Sequence, residues 1–308
     1  MALHVQERLK GLILGRYAVL SEVWNHPLNR GSRLGAVRDY LLWNAVRFTM
    51  DARHVVKLPG GIEVILGPKE NYGSAVYAHV LSDPNELLFL AHVLRPTDLF
   101  ADIGANVGLY SVWVAGTTGA SVISFEPVPE TYRALGQNVR LNDLSERVET
   151  RRLAVGDEAG VAFMTSTKGG LDHVVASPET SPGTVRTDVV RIDSALPRCP
   201  YAMKIDVEGF EYRALEGARK ILQDPALKAV VIELQDWTLT RFGTSEQACR
   251  DLLTSYGFGA FHYDPFTREL QPPQGDGLNE LFLRPDDEMR HRLSTAPPIP
   301  VPQLSQGI

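Results

Sequence analysis

Residues 97–130 read TDLFADIGANVGLYSVWVAGTTGASVISFEPVPE. Leu99, Phe100, Ala101 and Ile103 form a short apolar run and predict a strand buried on both faces. Gly104-Ala105-Asn106-Val107-Gly108 breaks that run, and Leu109 to Ala115 has the apolar character of a helix packed on a sheet. Gly116 and Gly119 end the helix, since glycine accepts the left-handed conformation at a helix C-terminus. Ser121 to Phe125 predicts a second strand, closed by Glu126-Pro127. The stretch is one βαβ unit, with Asp102 just before the glycine turn and Glu126 at the end of the second strand.

Ligands of open α/β sheets bind beyond the carboxyl ends of the strands, where glycine lets the backbone come close. Glu126 is placed to accept two ribose hydroxyls, and Asp102 suits an ammonium group better than a phosphate. A ligand with a ribose and an amino-acid moiety is S-adenosylmethionine. Two other readings compete. A bare structural turn leaves the two acids at strand ends unexplained. A nicotinamide-binding domain calls for G-x-G-x-x-G, whereas only G-x-x-x-G occurs here, and Asp102 would repel a pyrophosphate.

The 308 residues suffice for one large α/β domain with an extension, or for two domains. At 44% hydrophobic and 22% charged, the composition is that of an ordinary soluble protein. A net charge of −6 without a long basic run argues against nucleic acid as the main partner. Cys199 and Cys249 lie far apart without metal-ligand spacing, which predicts a cytoplasmic protein with two reduced thiols. No segment approaches the roughly 18 apolar residues of a membrane helix, and the charged N-terminal stretch does not read as a signal peptide.

Along the chain, Ala2–Trp24 and Leu34–Met50 predict helices, and Val55–Leu58 and Ile62–Leu66 short strands around Pro59-Gly60-Gly61. Asp83 is read as the N-cap of a helix with Pro84 at its first position and Glu86 completing a capping box. After Glu126 come a helix from Glu130 to Leu141, a third strand from Val148 to Val155, and an extra strand from Val161 to Thr165. A long loop rich in Gly, Ser, Pro and Thr follows over Thr167–Thr187. Val189–Ile192, Tyr201–Val207 and Ala229–Leu234 predict strands, Phe210–Leu222 and Ser245–Tyr256 helices, and Gly259–Tyr263 with Glu280–Leu283 a final antiparallel pair. Three parts are expected: a helical and hairpin cap over residues 1–80, a nucleotide-binding domain over 81–285, and a proline-rich, disordered tail over 286–308. The cap and the 167–187 loop are expected to cover an acceptor pocket.

Asp102-Ile-Gly-Ala-Asn-Val-Gly108, Phe125-Glu-Pro127 and Lys204-Ile-Asp-Val-Glu-Gly209 occur in an order that resembles the FkbM family of S-adenosylmethionine-dependent methyltransferases. Gln137-Asn138, Leu141-Asn142, Val231-Ile-Glu-Leu234 and Leu281-Phe-Leu-Arg284 support the resemblance, which covers roughly residues 80–285. It implies a class I methyltransferase fold: a Rossmann-like, doubly wound α/β sheet, mostly parallel, with a C-terminal antiparallel strand pair. It also implies methyl transfer to a small-molecule hydroxyl, on a sugar, polyketide or other secondary metabolite. Glu86 matches the acid that precedes the first strand in this family. The expected cofactor contacts are Glu86, Asp102, Gly104, Ala105, Asn106, Gly108, Glu126 and Pro127, with Val155 and Asp157, at the end of strand three, near the adenine.

Alternation along strand four would put Lys204, Asp206 and Glu208 on one side, at the cleft. Asp206 or Glu208 can take the acceptor's proton or orient it, and Lys204 can pair with either. An internal salt bridge fixing the strand end is the plain alternative. A second alternative is a divalent metal on Asp206, Glu208 and Glu233, with Asp236 nearby, although the spacing matches no compact metal loop. His173, after Gly169-Gly170, is a candidate mobile base, against the bland reading of an exposed loop histidine. Methylation of a carboxylate or a nitrogen, a cofactor-binding module without turnover, and a homo-oligomer all remain open.

Overall fold

The structure is a computed structural model and describes residues 19–21, 23–49, 53–67, 81, 83–165, 173–175, 183–274 and 279–300. It contains two compact units: residues 1–61, 66–82 and 298–308, and residues 62–65 with 83–297. In the first unit, a helix runs over Arg33–Thr49 and β1 over His54–Lys57. Val23 and Ala36 are buried together there, and the rings of Trp43 and His54 meet edge to face, 5.0 Å apart. Most of the helix expected over 2–24 lies outside the described residues.

The remaining strands, in chain order, are β2 (Glu63–Leu66), β3 (Leu99–Ile103), β4 (Ser121–Phe125), β5 (Val148–Arg151), β6 (Ala154–Val155), β7 (Gly160–Thr165), β8 (Val174–Val175), β9 (Thr184–Val190), β10 (Ala202–Ile205), β11 (Ala229–Glu233), β12 (Gly259–Asp264), β13 (Glu269–Gln271) and β14 (Asn279–Leu283). Eight of them form the central sheet in the order β13-β12-β14-β11-β10-β3-β4-β5. β5, β4, β3, β10 and β11 are parallel, whereas β14 runs antiparallel to both β11 and β12. This is a doubly wound α/β sheet, mostly parallel as expected, and β3 and β10 meet at the point where the winding reverses. All residues of β3 and β10 are buried, as a sheet covered on both faces requires.

Several local expectations give way to tertiary structure. The run Val148–Val155 is not one strand: Leu153 N–H bonds back to Arg151 O at 3.0 Å, so β5 stays in the central sheet while β6 joins a second one, ordered β6-β9-β7-β8. The strand expected at Val189–Ile192 is β9, which starts earlier, and Ile192–Ala195 is helical. The helix expected over 210–222 is two, Glu211–Glu216 and Arg219–Gln223. Asp83 is the N-cap of the helix Pro84–Val93 but makes no side-chain cap bond; its Oδ1 accepts from Asn279 Nδ2 at 3.1 Å. The disordered tail expected from 286 is corrected over Asp287–Thr295, a helix capped by Asp286 and anchored by buried Met289 and Leu293. Arg292 fastens it to Asp98 at 2.6 Å. Residues 301–308 and much of the 167–187 stretch lie outside the described residues. No described helix is long and apolar enough to cross a membrane.

Candidate active site

Four neighbouring parallel strands, β11, β10, β3 and β4, each carry an acid at or beside the carboxyl end: Glu233, Asp206, Asp102 and Glu126. The turn after β3 is held from β4. Gly104 and Ala105 both donate N–H to Phe125 O, at 3.0 and 2.9 Å, and Asn106 N–H donates to Glu126 Oε2 at 2.9 Å. Gly108 N–H donates to Ala105 O at 2.8 Å. Those N–H groups are therefore spent inside the protein, whereas a phosphate cradle presents them outward. Asp102 Oδ1 and Asn106 Oδ1 are buried acceptors with no hydrogen-bond donor, one on either side of Gly104. The turn therefore offers acceptors rather than donors.

Asp102 is fully enclosed, and its Oδ2 accepts from Ser111 Oγ at 2.5 Å, with Ser124 Oγ 2.7 Å beyond. Burial raises its pKa, with Lys204 and Ser111 opposing. Glu126 is locked at the strand end: Oε1 accepts from Val128 N–H at 2.9 Å and from Thr131 Oγ1 at 3.0 Å. Pro127 follows it, and Pro129 opens the next helix.

The second turn, Asp206–Gly209, lies against the first. A Cβ on Gly104, whose φ is +81°, would sit 1.7 Å from Asp206 O, so only glycine allows the two turns to touch. Lys204, on β10 in register with Asp102, reaches Asp206 Oδ2 at 2.6 Å and lies 4.8 Å from the Tyr110 ring centre. Burial works against its charge, but Asp206 and Asp102 outweigh burial and hold its pKa above the ordinary value. The expected alternation stops there, because β10 ends at Ile205. Glu208 sits in the turn with φ +53°, a conformation few non-glycine residues adopt. Burial, then Asp206 and Glu211, push its carboxyl up to about 8. Glu233 is likewise raised, by burial and then by Asp206.

Glu211 is a residue sequence reasoning missed. It is buried, and its Oε1 accepts from Val207 N–H at 3.0 Å and Gly209 N–H at 3.1 Å, which ties the second turn shut. Burial pushes it up to about 7. Its signal was an acid in the first turn of a helix directly after a glycine. Ser111 and Ser124 were also legible, as polar interruptions in apolar runs.

The other expected residues sit on further elements, and Glu86 and Asp206 both act on the buried Tyr110 hydroxyl. Glu86 lies partly buried on the helix Pro84–Val93, pushed up to about 7 by burial and Asp83. Val155 is buried in β6. Asp157 pairs with Arg213 at 2.9 Å, and Arg191 donates to its carbonyl. His173 stands beside β8 in the second sheet; its N–H donates to Thr165 Oγ1 at 3.1 Å and its carbonyl accepts from Thr165 N–H at 3.0 Å. Among the described residues, no three His, Cys, Asp or Glu side chains are grouped to hold a metal ion, Asp206, Glu208 and Glu233 included.

The sequence profile described as "Methyltransferase FkbM domain" matches residues 102–259, slightly over half of the chain. The chain belongs to the FkbM methyltransferase family. It is 28% identical over 225 residues to the 31-O-demethyl-FK506 methyltransferase FkbM of Streptomyces tacrolimicus, covering 60% of this chain and 83% of that protein. It is also 28% identical over 144 residues to the hexuronic acid methyltransferase AglP of Haloferax volcanii, covering 44% of this chain and 56% of that one. Among solved structures, methyltransferase FkbM from Methylobacillus flagellatus KT aligns at 15% identity with a TM-score of 0.45, over 82% of this chain and 60% of that chain. The chain thus spans less than two thirds of the length of two of these three relatives. Within the family profile fall both turns, Glu126 and the Lys204–Asp206 pair.

Proposed function

We propose that this FkbM-family protein transfers a methyl group from S-adenosylmethionine to a hydroxyl of a small-molecule acceptor, a sugar or a secondary metabolite. The observation that carries the reading is the contact between the turns. The acceptor-rich turn 104–108 and the carboxylate turn 206–209 touch at Gly104, so a ligand on the first is presented to the second. Asp102 Oδ1 and Asn106 Oδ1 fit the ammonium end of the cofactor, and Glu126 fits the ribose. When bound, the cofactor supplies an electrophilic methyl carbon on a sulfonium. Asp206, fixed by Lys204, orients the acceptor by accepting a hydrogen bond from a hydroxyl next to the reacting one. Glu208 takes the proton as the oxygen reacts: its environment holds its pKa near the working pH, where a general base is most effective. His173, the other candidate base, is set on the second sheet, and the substitution His173→Ala leaves this mechanism intact.

The relatives named for 31-O-demethyl-FK506 and for a hexuronic acid support a small hydroxylated acceptor. The test is transfer of label from methyl-labelled S-adenosylmethionine into a small-molecule extract of the source cells. A labelled product that survives mild alkali but gives up its label as methyl iodide in hot hydriodic acid is a methyl ether, as proposed. Label released by alkali identifies a methyl ester and a carboxylate acceptor instead.

A further inference from the structure

β11 leads from Glu233 into a short helix, Asp236–Leu239, that carries a half-exposed indole, Trp237. Its ring is tethered to the reactive cluster. Trp237 Nε1–H donates to Gln235 Oε1, and Gln235 Nε2 donates to Glu233 Oε1. Arg241, one turn on, lies with its guanidinium carbon 4.5 Å from the indole centre and also acts on Glu208. The segment is pressed against the carboxylate turn. A Cβ on Gly209, with φ +102°, would come within 2.5 Å of Thr238 O, and Phe210 meets Phe242 edge to face at 5.1 Å.

An exposed indole is normally free to rotate away from water. This one has its N–H committed and one face stacked by Arg241. The acids beside it call for O–H donors, and the aromatic face calls for polarised C–H groups. One molecule meets both demands: a saturated ring with hydroxyls around its rim and C–H bonds on its face. Building on the hydroxyl-acceptor reading above, we propose that Trp237 is the platform on which such an acceptor ring stacks, with its rim hydroxyls directed to Asp206 and Glu208. Trp237 is then a specificity-determining residue, and Gln235 the positioning residue that sets its ring.

The test uses saturation-transfer NMR on the full chain with methyl β-D-glucopyranoside, whose H1, H3 and H5 share one face. D-glucitol, which has comparable hydroxyls but no ring face, is the comparison. In the parent protein, transfer should fall on H1, H3 and H5 and be absent for D-glucitol. It should persist in Trp237→Phe and weaken about tenfold or more in Trp237→Ala. Because the indole is half exposed, Trp237→Gln carries the same expectation as Trp237→Ala. Absence of transfer to the glucoside in the parent, equal transfer in Trp237→Ala, or equal transfer to D-glucitol overturns the platform. Calorimetry with S-adenosylhomocysteine on the same samples keeps the two claims apart. Unchanged affinity in Trp237→Ala confines the loss to the acceptor side, whereas no binding by the parent overturns the cofactor reading and leaves the NMR result for Trp237 standing.

Discussion

The Glu208 carboxyl is shaped by its surroundings, and the base role proposed for it rests on them. Its backbone is held at φ +53°, Asp206 and Glu211 crowd it, and its carboxyl is pushed up to about 8. A base must be deprotonated to act, so kcat should rise with pH and level off above about 8. Glu208→Gln should remove that rise and lower kcat by about 10²–10⁴-fold. A pH–rate profile of both proteins checks this, and a parent-like profile in His173→Ala assigns the ionisation to Glu208. Asp102 and Glu126 were legible because an acid ending an apolar run is conspicuous. Glu211 was not, since an acid in the first turn of a helix reads as ordinary surface until the N–H groups it accepts from are seen. The face shared by Lys204 and Asp206 followed from strand alternation, but the turn at Glu208 did not, because the end of β10 is set by its neighbours.

Among the elements, the two touching turns matter most. Gly104→Ala combines left-handed strain with a clash against Asp206 O, and should destabilise the fold by about 2–5 kcal/mol, read as a lowered urea midpoint. Glu211→Leu tests the other turn. It leaves the Val207 and Gly209 N–H groups without their acceptor, each orphan costing about 1–3 kcal/mol. The loosened turn should lower kcat about tenfold or more while the affinity for S-adenosylhomocysteine stays at the parent value. Loss of affinity with unchanged kcat would contradict the assignment of this turn to the acceptor side. The βαβ order and the C-terminal antiparallel pair were readable because each element is long and apolar. The division of 148–155 between two sheets was not: a change of sheet depends on a single bond from Leu153 to Arg151, which leaves no pattern in the residues. The helix Asp287–Thr295 was hidden by its polar composition, since Met289 and Leu293 are its only buried apolar residues.

Across the larger unit, acids are held above their ordinary pKa: Glu86 and Glu211 up to about 7, and Glu208 up to about 8. The unfolded chain releases these protons first, so as pH rises it binds fewer than the folded chain does. The stability each acid contributes is complete below its unfolded value and is lost as pH rises through the folded one. Glu86→Gln should therefore gain in Tm relative to the parent as pH goes from about 5 to about 7. A gap that stays constant over that range would show that Glu86 does not titrate this way. The whole fold brings the turns 104–108 and 206–209 together at the carboxyl ends of two inner strands of the sheet, and the central claim is that the first binds S-adenosylmethionine. Calorimetric titration with S-adenosylhomocysteine of the parent and of Glu126→Gln measures this most directly. The account predicts affinity of about micromolar order for the parent, weakened roughly 10- to 100-fold in the variant by loss of a charge-assisted ribose bond. Equal affinity in the two proteins, or no binding by the parent, would contradict it.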